Sequence, residues 1–241
     1  MTAVPRLAGR TALVTGASRG IGLEVARVLA AEGMRIALLA RSESALRAAA
    51  VTIGERAIAV PCDVGDADAV DQAARTVRAA FAGSPDVIVN CAGVFQLAPV
   101  EQTSADALRR ALDVNLVAPF LVVRAFLADM RARASGHIVT IGSVADRAVF
   151  PENAAYAASK FGARAMHETL RMELRGSGVR VSLVSPGPVD TALWDEIDPD
   201  TRPGFTPRRE MLSASAVAEA VRYVVTQPAE VNIDELRLSH S

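Results

Sequence analysis

Thr11-Ala-Leu-Val-Thr15-Gly16-Ala-Ser-Arg19-Gly20-Ile-Gly22 opens as a strand and closes as a helix. Its first five residues are apolar or β-branched and carry no charge, which suits a strand buried on both faces. Gly16, Gly20 and Gly22 punctuate the exit, and a helical period resumes near Ile21. The same unit recurs outward along the chain. RIALLAR (35–41), RAIAVPCDV (56–64), PDVIVNCAG (85–93), GHIVTIGS (136–143) and RVSLVSPG (180–187) are short β-branched runs separated by longer Ala- and Arg-rich stretches of helical period. Six such strands predict an α/β fold: a doubly wound parallel sheet with helices on both faces. NIDELRLS (232–239), after a helix around 213–227, adds a seventh strand. No break in this spacing marks a second unit, so residues 1–241 are read as one domain. The long irregular stretch of about 187–212, rich in Pro and acidic residues, has the length of a lid or binding loop.

Composition narrows the function. A net charge of −1 with 4% aromatic residues offers no basic stripe for nucleic-acid phosphates. The opening MTAVPRLAGR lacks the apolar core of a signal peptide, and no eighteen-residue apolar run is free of charge, so the expectation is a cytoplasmic protein without a membrane span. Cys62 and Cys91 stand far apart without a CxxC partner, so they read as buried free thiols, and no metal site is expected. His137 and His167 lack carboxylates or thiols at ligand spacing and read as surface or satisfied core residues.

A glycine-rich turn directly after strand 1 lets backbone N–H groups approach a pyrophosphate at a helix N-terminus. Gly16, Ser18, Arg19, Gly20, Ile21 and Gly22 are therefore candidates for a dinucleotide site, although the G-x3-G-x-G spacing differs from G-x-G-x-x-G and a plain tight turn is the alternative. Strand 2 ends in Ala40 and Arg41, with no carboxylate to hold ribose hydroxyls. Arg41 and Arg19 instead suit a 2′-phosphate, which predicts NADP(H). Charge-assisted hydrogen bonds of about 1.5–3 kcal/mol each are enough for more than tenfold discrimination. Asp63 and Val64 end strand 3, where they suit the adenine amino group and ring. Asn90, Ala92 and Gly93 end strand 4 and form the floor of the crevice.

Among 26 Lys and Arg residues Lys160 is the only lysine, and it lies four residues after Tyr156. On a helix that spacing shares a face, and a compact ammonium beside a phenol favours its ionised form. At neutral pH an unperturbed tyrosine is ionised in only about one molecule per thousand, so the pair makes a usable proton donor or acceptor. Ser143 ends strand 5 at the same sheet edge. The GSVA around it lacks the second glycine of G-x-S-x-G and is not a nucleophile elbow.

TGASRGIG (15–22), DV (63–64), NCAG (90–93), Asn115, Ser143, YAASK (156–160) and PGPVDT (186–191) together resemble the short-chain dehydrogenase/reductase family, in its single-domain branch, over nearly the whole chain. The resemblance implies a Rossmann fold and interconversion of a ketone or aldehyde with an alcohol. It implies that Tyr156 is the general acid or base, that Ser143 binds the substrate oxygen, and that Lys160 holds the nicotinamide ribose and favours the ionised phenol. It further implies that Asn115 holds a water linking Lys160 to solvent, that Pro186, Gly187 and Val189 back the nicotinamide, and that Thr191 sits near its carboxamide or the diphosphate. Cys91 departs from the family's second asparagine in NNAG. Placement makes Phe95, Gln96, Arg147 and Phe150 pocket walls, while Trp194 and Phe205 either close over substrate or pack the irregular loop onto the domain. The competing readings are a 3-oxoacyl thioester reductase, with Arg131, Arg133, Arg208 and Arg209 as a carrier-protein patch, and a non-catalytic NADP sensor. The family also implies a homotetramer or homodimer, and FLVVRAFLADM and AAYAASKFGARAM suit its interfaces.

Overall fold

The computed structural model describes residues 7–241; the opening segment 1–6, which bears on the reading of the N-terminus, lies outside the described residues. The chain alternates β1 (Thr11–Thr15), α1 (Gly20–Ala31), β2 (Arg35–Ala40), α2 (Glu43–Ile53), β3 (Ala57–Pro61), α3 (Ala67–Phe81) and β4 (Val87–Asn90). It continues through α4 (Ala105–Leu112), α5 (Ala118–Ala132), β5 (Gly136–Ile141), α6 (Ala154–Glu173) and β6 (Val179–Pro186). A short pair, β7 (Val189–Asp190) and β8 (Leu212–Ser213), precedes α7 (Ala214–Val225) and β9 (Glu235–Leu238). The main sheet has seven strands, all parallel, in the order β3-β2-β1-β4-β5-β6-β9. It is the Rossmann-type α/β sheet that the strand runs predicted.

Alternate residues of each strand feed opposite faces. Ala12 and Val14 of β1 join Ile36 and Leu38 of β2 in the core beneath α1, α2 and α7. Leu13, Ala37 and Leu39 point the other way, onto α3 and α5, where Phe126 and Met130 are fully buried. Emptying either site to alanine costs about 2–5 kcal/mol, so the two layers fix the strand register and with it the positions of the strand ends. The order reverses between β1 and β4, opening a crevice at the carboxyl edge.

A one-turn π-helix, Asp113–Val117, joins α4 to α5. The combined run Ala105–Ala132 has a mean hydropathy of 1.8 over its most apolar stretch, long and apolar enough to cross a membrane. Half of that stretch is buried inside the fold, as a core helix is. The 187–212 segment is more ordered than a purely irregular loop. Val189 and Asp190 pair with Leu212 and Ser213, and Arg208 bonds Asp190 and Asp195 at 2.8 Å each. Trp194 donates its indole N–H to the Val189 carbonyl at 3.1 Å.

His137 lies within β5, fully buried, with Nε2 2.8 Å from the Ser182 hydroxyl. Burial, with Arg180 and Arg10 adding to it, holds its pKa well below the histidine range. Burial lowers His167 too, against the pull of Glu168. Unfolded histidine titrates near about 6.5, so the native state disfavours the proton that the unfolded chain takes up. The stabilisation is present above about pH 6.5 and is lost as pH falls below it, by up to about 1.4 kcal/mol per unit per histidine. Urea unfolding midpoints should therefore drop from pH 7 to pH 5. His137→Gln should drop less; an equal drop in both proteins would exclude His137 as a source.

Candidate active site

The crevice is a continuous cavity of about 1110 Å³ running along the carboxyl ends of β1 to β6. At one end, the β1–α1 turn wraps tightly. Gly16 has φ +67°, and a Cβ there would lie 2.8 Å from the Ala92 Cα; a Cβ on Gly22 would lie 2.4 Å from the Gly16 carbonyl oxygen. Only glycine fits either place, so bare backbone lines the cavity where α1 begins. Ser18, Arg19, Gly20 and Ile21 share this wall. Arg41 lies across from them beside Ser42, which caps α2 by accepting from Ala45 N–H at 3.3 Å. Glu43, the nearest carboxylate in sequence, is paired with Arg47 at 2.5 Å, and neither Arg19 nor Arg41 joins an ion pair among the described residues. Asp63 and Val64 line the same end, with Arg110 3.6 Å from the Asp63 carboxylate.

Midway, β5 and α6 bring together Ser143, Tyr156 and Lys160. Lys160 is 8% exposed and donates to the Ile141 carbonyl at 3.0 Å, its one protein acceptor among the described residues, with Nζ 5.7 Å from the Tyr156 ring centre. An ammonium has three donors, so two remain for a guest. The Ser143 hydroxyl accepts from Ala145 N–H at 3.1 Å and keeps its own proton to give. The Tyr156 hydroxyl has no partner among the described residues, leaving it free to exchange a proton with whatever occupies the cavity. Pro186, Gly187, Val189 and Thr191 form the facing wall, and the Thr191 methyl lies 3.5 Å from the Cβ position of Gly20.

Two candidates lie behind this wall. Asn90, assigned by sequence to the crevice floor, ends β4 with its side chain buried and both amide atoms unpartnered. Asn115 sits in the π-turn, where its amide is committed to protein. Its oxygen accepts from Val94 N–H at 2.9 Å, and its nitrogen donates to Val94 O at 3.0 Å and to Ser159 Oγ at 2.9 Å. Ser159 in turn donates to Tyr156 O at 2.7 Å, so Asn115 ties the loop after β4 to the helical turn bearing Tyr156. The remaining nucleotide and catalytic candidates all line the cavity, as do Ala92 and Gly93.

Among the wall residues read from placement, Phe95, Phe150, Trp194 and Phe205 line the cavity, whereas Gln96 and Arg147 do not. Gln96 is exposed to solvent. Arg147 turns instead into a partly buried ionic cluster. Asp146, 1% exposed, bonds Arg147 Nε at 2.7 Å and Ser185 Oγ at 2.7 Å and accepts from Ser143 N–H at 3.3 Å. Glu235 of β9 closes the cluster with Arg147 and with Arg164 at 3.2 Å. Sequence reading missed Asp146, because its distant partners, Ser185 of β6 and Arg164 of α6, are brought to it only by the fold. The four arginines weighed as a carrier-protein patch are all engaged: Arg131 with Glu173 O, Arg133 with three carbonyls, Arg208 with Asp190 and Asp195, and Arg209 with Glu210. Cys62 and Cys91 are free thiols, pushed by burial up to about 11 and about 12. Among the described residues no group of three or more His, Cys, Asp or Glu is placed to hold a metal.

A glycine-walled strand-to-helix turn at a topological switch, leading to a Ser–Tyr–Lys wall, defines a dinucleotide-dependent class of protein. The family model for short chain dehydrogenase matches residues 10–202. An uncharacterized oxidoreductase of Staphylococcus aureus strain MW2 is 32% identical over 231 residues, covering 95% of this chain and 96% of that one. Among solved structures, a metagenomic short-chain oxidoreductase in complex with NADP is similar with a TM-score of 0.83 at 34% identity, covering 98% of this chain and 100% of that one. An alcohol dehydrogenase from the archaeon Thermococcus sibiricus, complexed with 5-hydroxy-NADP, has a TM-score of 0.86 at 31% identity over 96% of each chain. The chain belongs to the short-chain dehydrogenase family and is an oxidoreductase of that family.

Asp146→Ala would remove the carboxylate that Arg147, Ser185 and the Ser143 amide share. Because Arg147 and Arg164 keep some solvent, the expected loss is about 2 kcal/mol, below the about 3–5 of a fully buried pair. Urea unfolding measures it, and a stability within about 0.5 kcal/mol of wild type would show that the cluster does not hold this corner.

Proposed function

We propose that the chain is one catalytic domain that interconverts a ketone or aldehyde with the corresponding alcohol, using NADP(H). The observation that carries this is the set of unspent donors on one wall: the hydroxyls of Ser143 and Tyr156 beside a buried ammonium with two protons to offer. The crevice fits a dinucleotide because its glycine turn leaves no room for a Cβ at Gly16 or Gly22. Backbone N–H groups of that turn would hold the diphosphate, and Arg19 and Arg41, which join no ion pair among the described residues, would hold the 2′-phosphate. Lys160 would take the nicotinamide ribose hydroxyls, with Pro186, Gly187, Val189 and Thr191 behind the ring and Asp63 and Val64 beside the adenine. When bound, NADPH supplies the hydride that reduces the carbonyl carbon.

The Ser143 hydroxyl donates to the carbonyl oxygen and orients it toward Tyr156. Tyr156 gives that oxygen its phenolic proton, and in the alcohol-oxidising direction takes it back. Lys160 steadies the phenolate left behind. Asn115 acts through others as a positioning residue, holding the Tyr156 turn against the loop after β4. The protein is proposed to work in the cytoplasm.

NADPH oxidation followed by absorbance across a panel of ketones and aldehydes tests the reading. Tyr156→Phe should lower turnover by about 100-fold or more while NADPH binding persists, and Arg41→Asp should move the NADPH/NADH preference about tenfold toward NADH. Undiminished turnover without the phenol, or equal use of both cofactors by the wild type, would refute the corresponding assignment. Phe120 on α5 and Phe161 on α6 are 49% and 41% exposed, which suits burial between copies in a homotetramer. Light scattering should give four times the chain mass, and a monomer mass would contradict it.

A further inference from the structure

Beyond Tyr156 the cavity is walled by an aromatic ladder. Phe95 meets the Tyr156 ring edge to face at 4.7 Å, Trp194 meets Phe95 at 5.0 Å, and Phe205 meets Trp194 at 6.3 Å. The Trp194 N–H is already bonded to Val189 O, so the ladder offers faces and edges but no free indole donor. Two charged side chains line this part of the cavity, Glu152 and Arg202. They are paired with each other, joining the loop before α6 to the 187–212 segment, and the Arg202 guanidinium also lies 4.8 Å from the centre of the Phe205 ring. The other charged lining groups, Arg19, Arg41, Asp63, Arg110 and Lys160, belong to the nucleotide half described above.

Glu152 is built in with some effort. Its φ is +60°, in the left-handed region that few residues other than glycine, Asn and Asp adopt, and its carbonyl accepts from Ala98 N–H at 2.9 Å. The pair stands at the mouth of the cavity, its side chains 37% and 34% exposed. Without Glu152, Arg202 would present an uncompensated cation to an apolar pocket, a ready partner for a substrate carboxylate.

We propose that Glu152 is a specificity-determining residue: by neutralising Arg202 it reserves the carbonyl pocket for an uncharged aryl ketone or aldehyde. The aromatic ring of that substrate lies against the Phe95–Trp194 ladder, and its carbonyl lies at Ser143 and Tyr156. Ring against ring gives an aryl group offset-stacked or edge contacts that a saturated ring of the same size lacks. A carboxylate on the substrate would have to displace Glu152 from Arg202 or remain buried without a partner. This rests on the carbonyl-reductase reading of the site.

The test compares acetophenone, cyclohexyl methyl ketone and 4-acetylbenzoate as substrates with NADPH. Wild type should favour acetophenone by about tenfold over the saturated ketone and by more over the anion. In Glu152→Gln the ratio of kcat/KM for 4-acetylbenzoate to that for acetophenone should rise about tenfold or more. The double variant Glu152→Gln/Arg202→Gln should lose that gain, which separates a freed cation from a loosened loop. Trp194, the sole tryptophan, gives a readout without turnover. In a Tyr156→Phe background its fluorescence should show 4-acetylbenzoate binding more tightly once Glu152 is Gln. A wild type that reduces the anion as well as acetophenone, or a ratio unmoved by Glu152→Gln, overturns the proposal. A fluorescence gain with no carbonyl reduced by wild type would uphold the Glu152 role and refute the reductase reading.

Discussion

A buried ammonium with two unused donors governs the architecture of the site. Lys160 is 8% exposed and touches one protein acceptor among the described residues, the carbonyl that ends β5. Burying a cation so sparingly bonded is costly unless a guest completes its shell. That single contact also sets geometry. It pins the first turns of α6 to the edge of β5, so the phenol of Tyr156 and the hydroxyl of Ser143 face the same space. Arginine could not serve here: its flat fork suits paired acceptors in one plane, whereas this position asks for donors fanning from one point. The chain uses arginine wherever a cation meets carboxylates or strings of carbonyls, as at Arg208 and Arg133.

The sheet converts local sequence into this convergence. The central strands are apolar on both faces, so two cores clamp their register and their ends fall at fixed heights. The glycine turn after β1 then approaches the end of β4 closely enough that a Cβ at Gly16 would strike the backbone of Ala92. Close backbone approach at one end and a spare ammonium in the middle are what would let one crevice take the phosphates and the ribose of the proposed dinucleotide. The aromatic ladder starts where those polar groups stop, so the two halves of the cavity differ in the chemistry they can receive.

Much of this was legible in the sequence because it is written locally. β-branched runs pointed to six strands of the main sheet and the segment after the last helix to the seventh, glycine spacing pointed to the turn, and a tyrosine four residues before the only lysine pointed to the wall that carries both. What escaped was long-range charge pairing. Asp146, Arg164, Ser185 and Glu235 are far apart in the chain and individually look like solvated polar residues, yet they enclose one another beside Ser143. Arg147 was misread for the same reason, since its position after β5 says nothing of a glutamate arriving from β9. Glu152 and Arg202 were also invisible, being fifty residues apart and joined only when the 187–212 segment folds over. Asn115 carries a motif but no local sign that a π-turn would rotate its amide onto Val94 and Ser159.

The dissociation constant of NADPH for Lys160→Met, read from quenching of Trp194 in a variant with native circular dichroism, tests the role of that ammonium most directly. Loss of two charge-assisted hydrogen bonds should weaken binding about tenfold or more. Unchanged affinity in the folded variant would mean that the spare donors of Lys160 face nothing the cofactor offers.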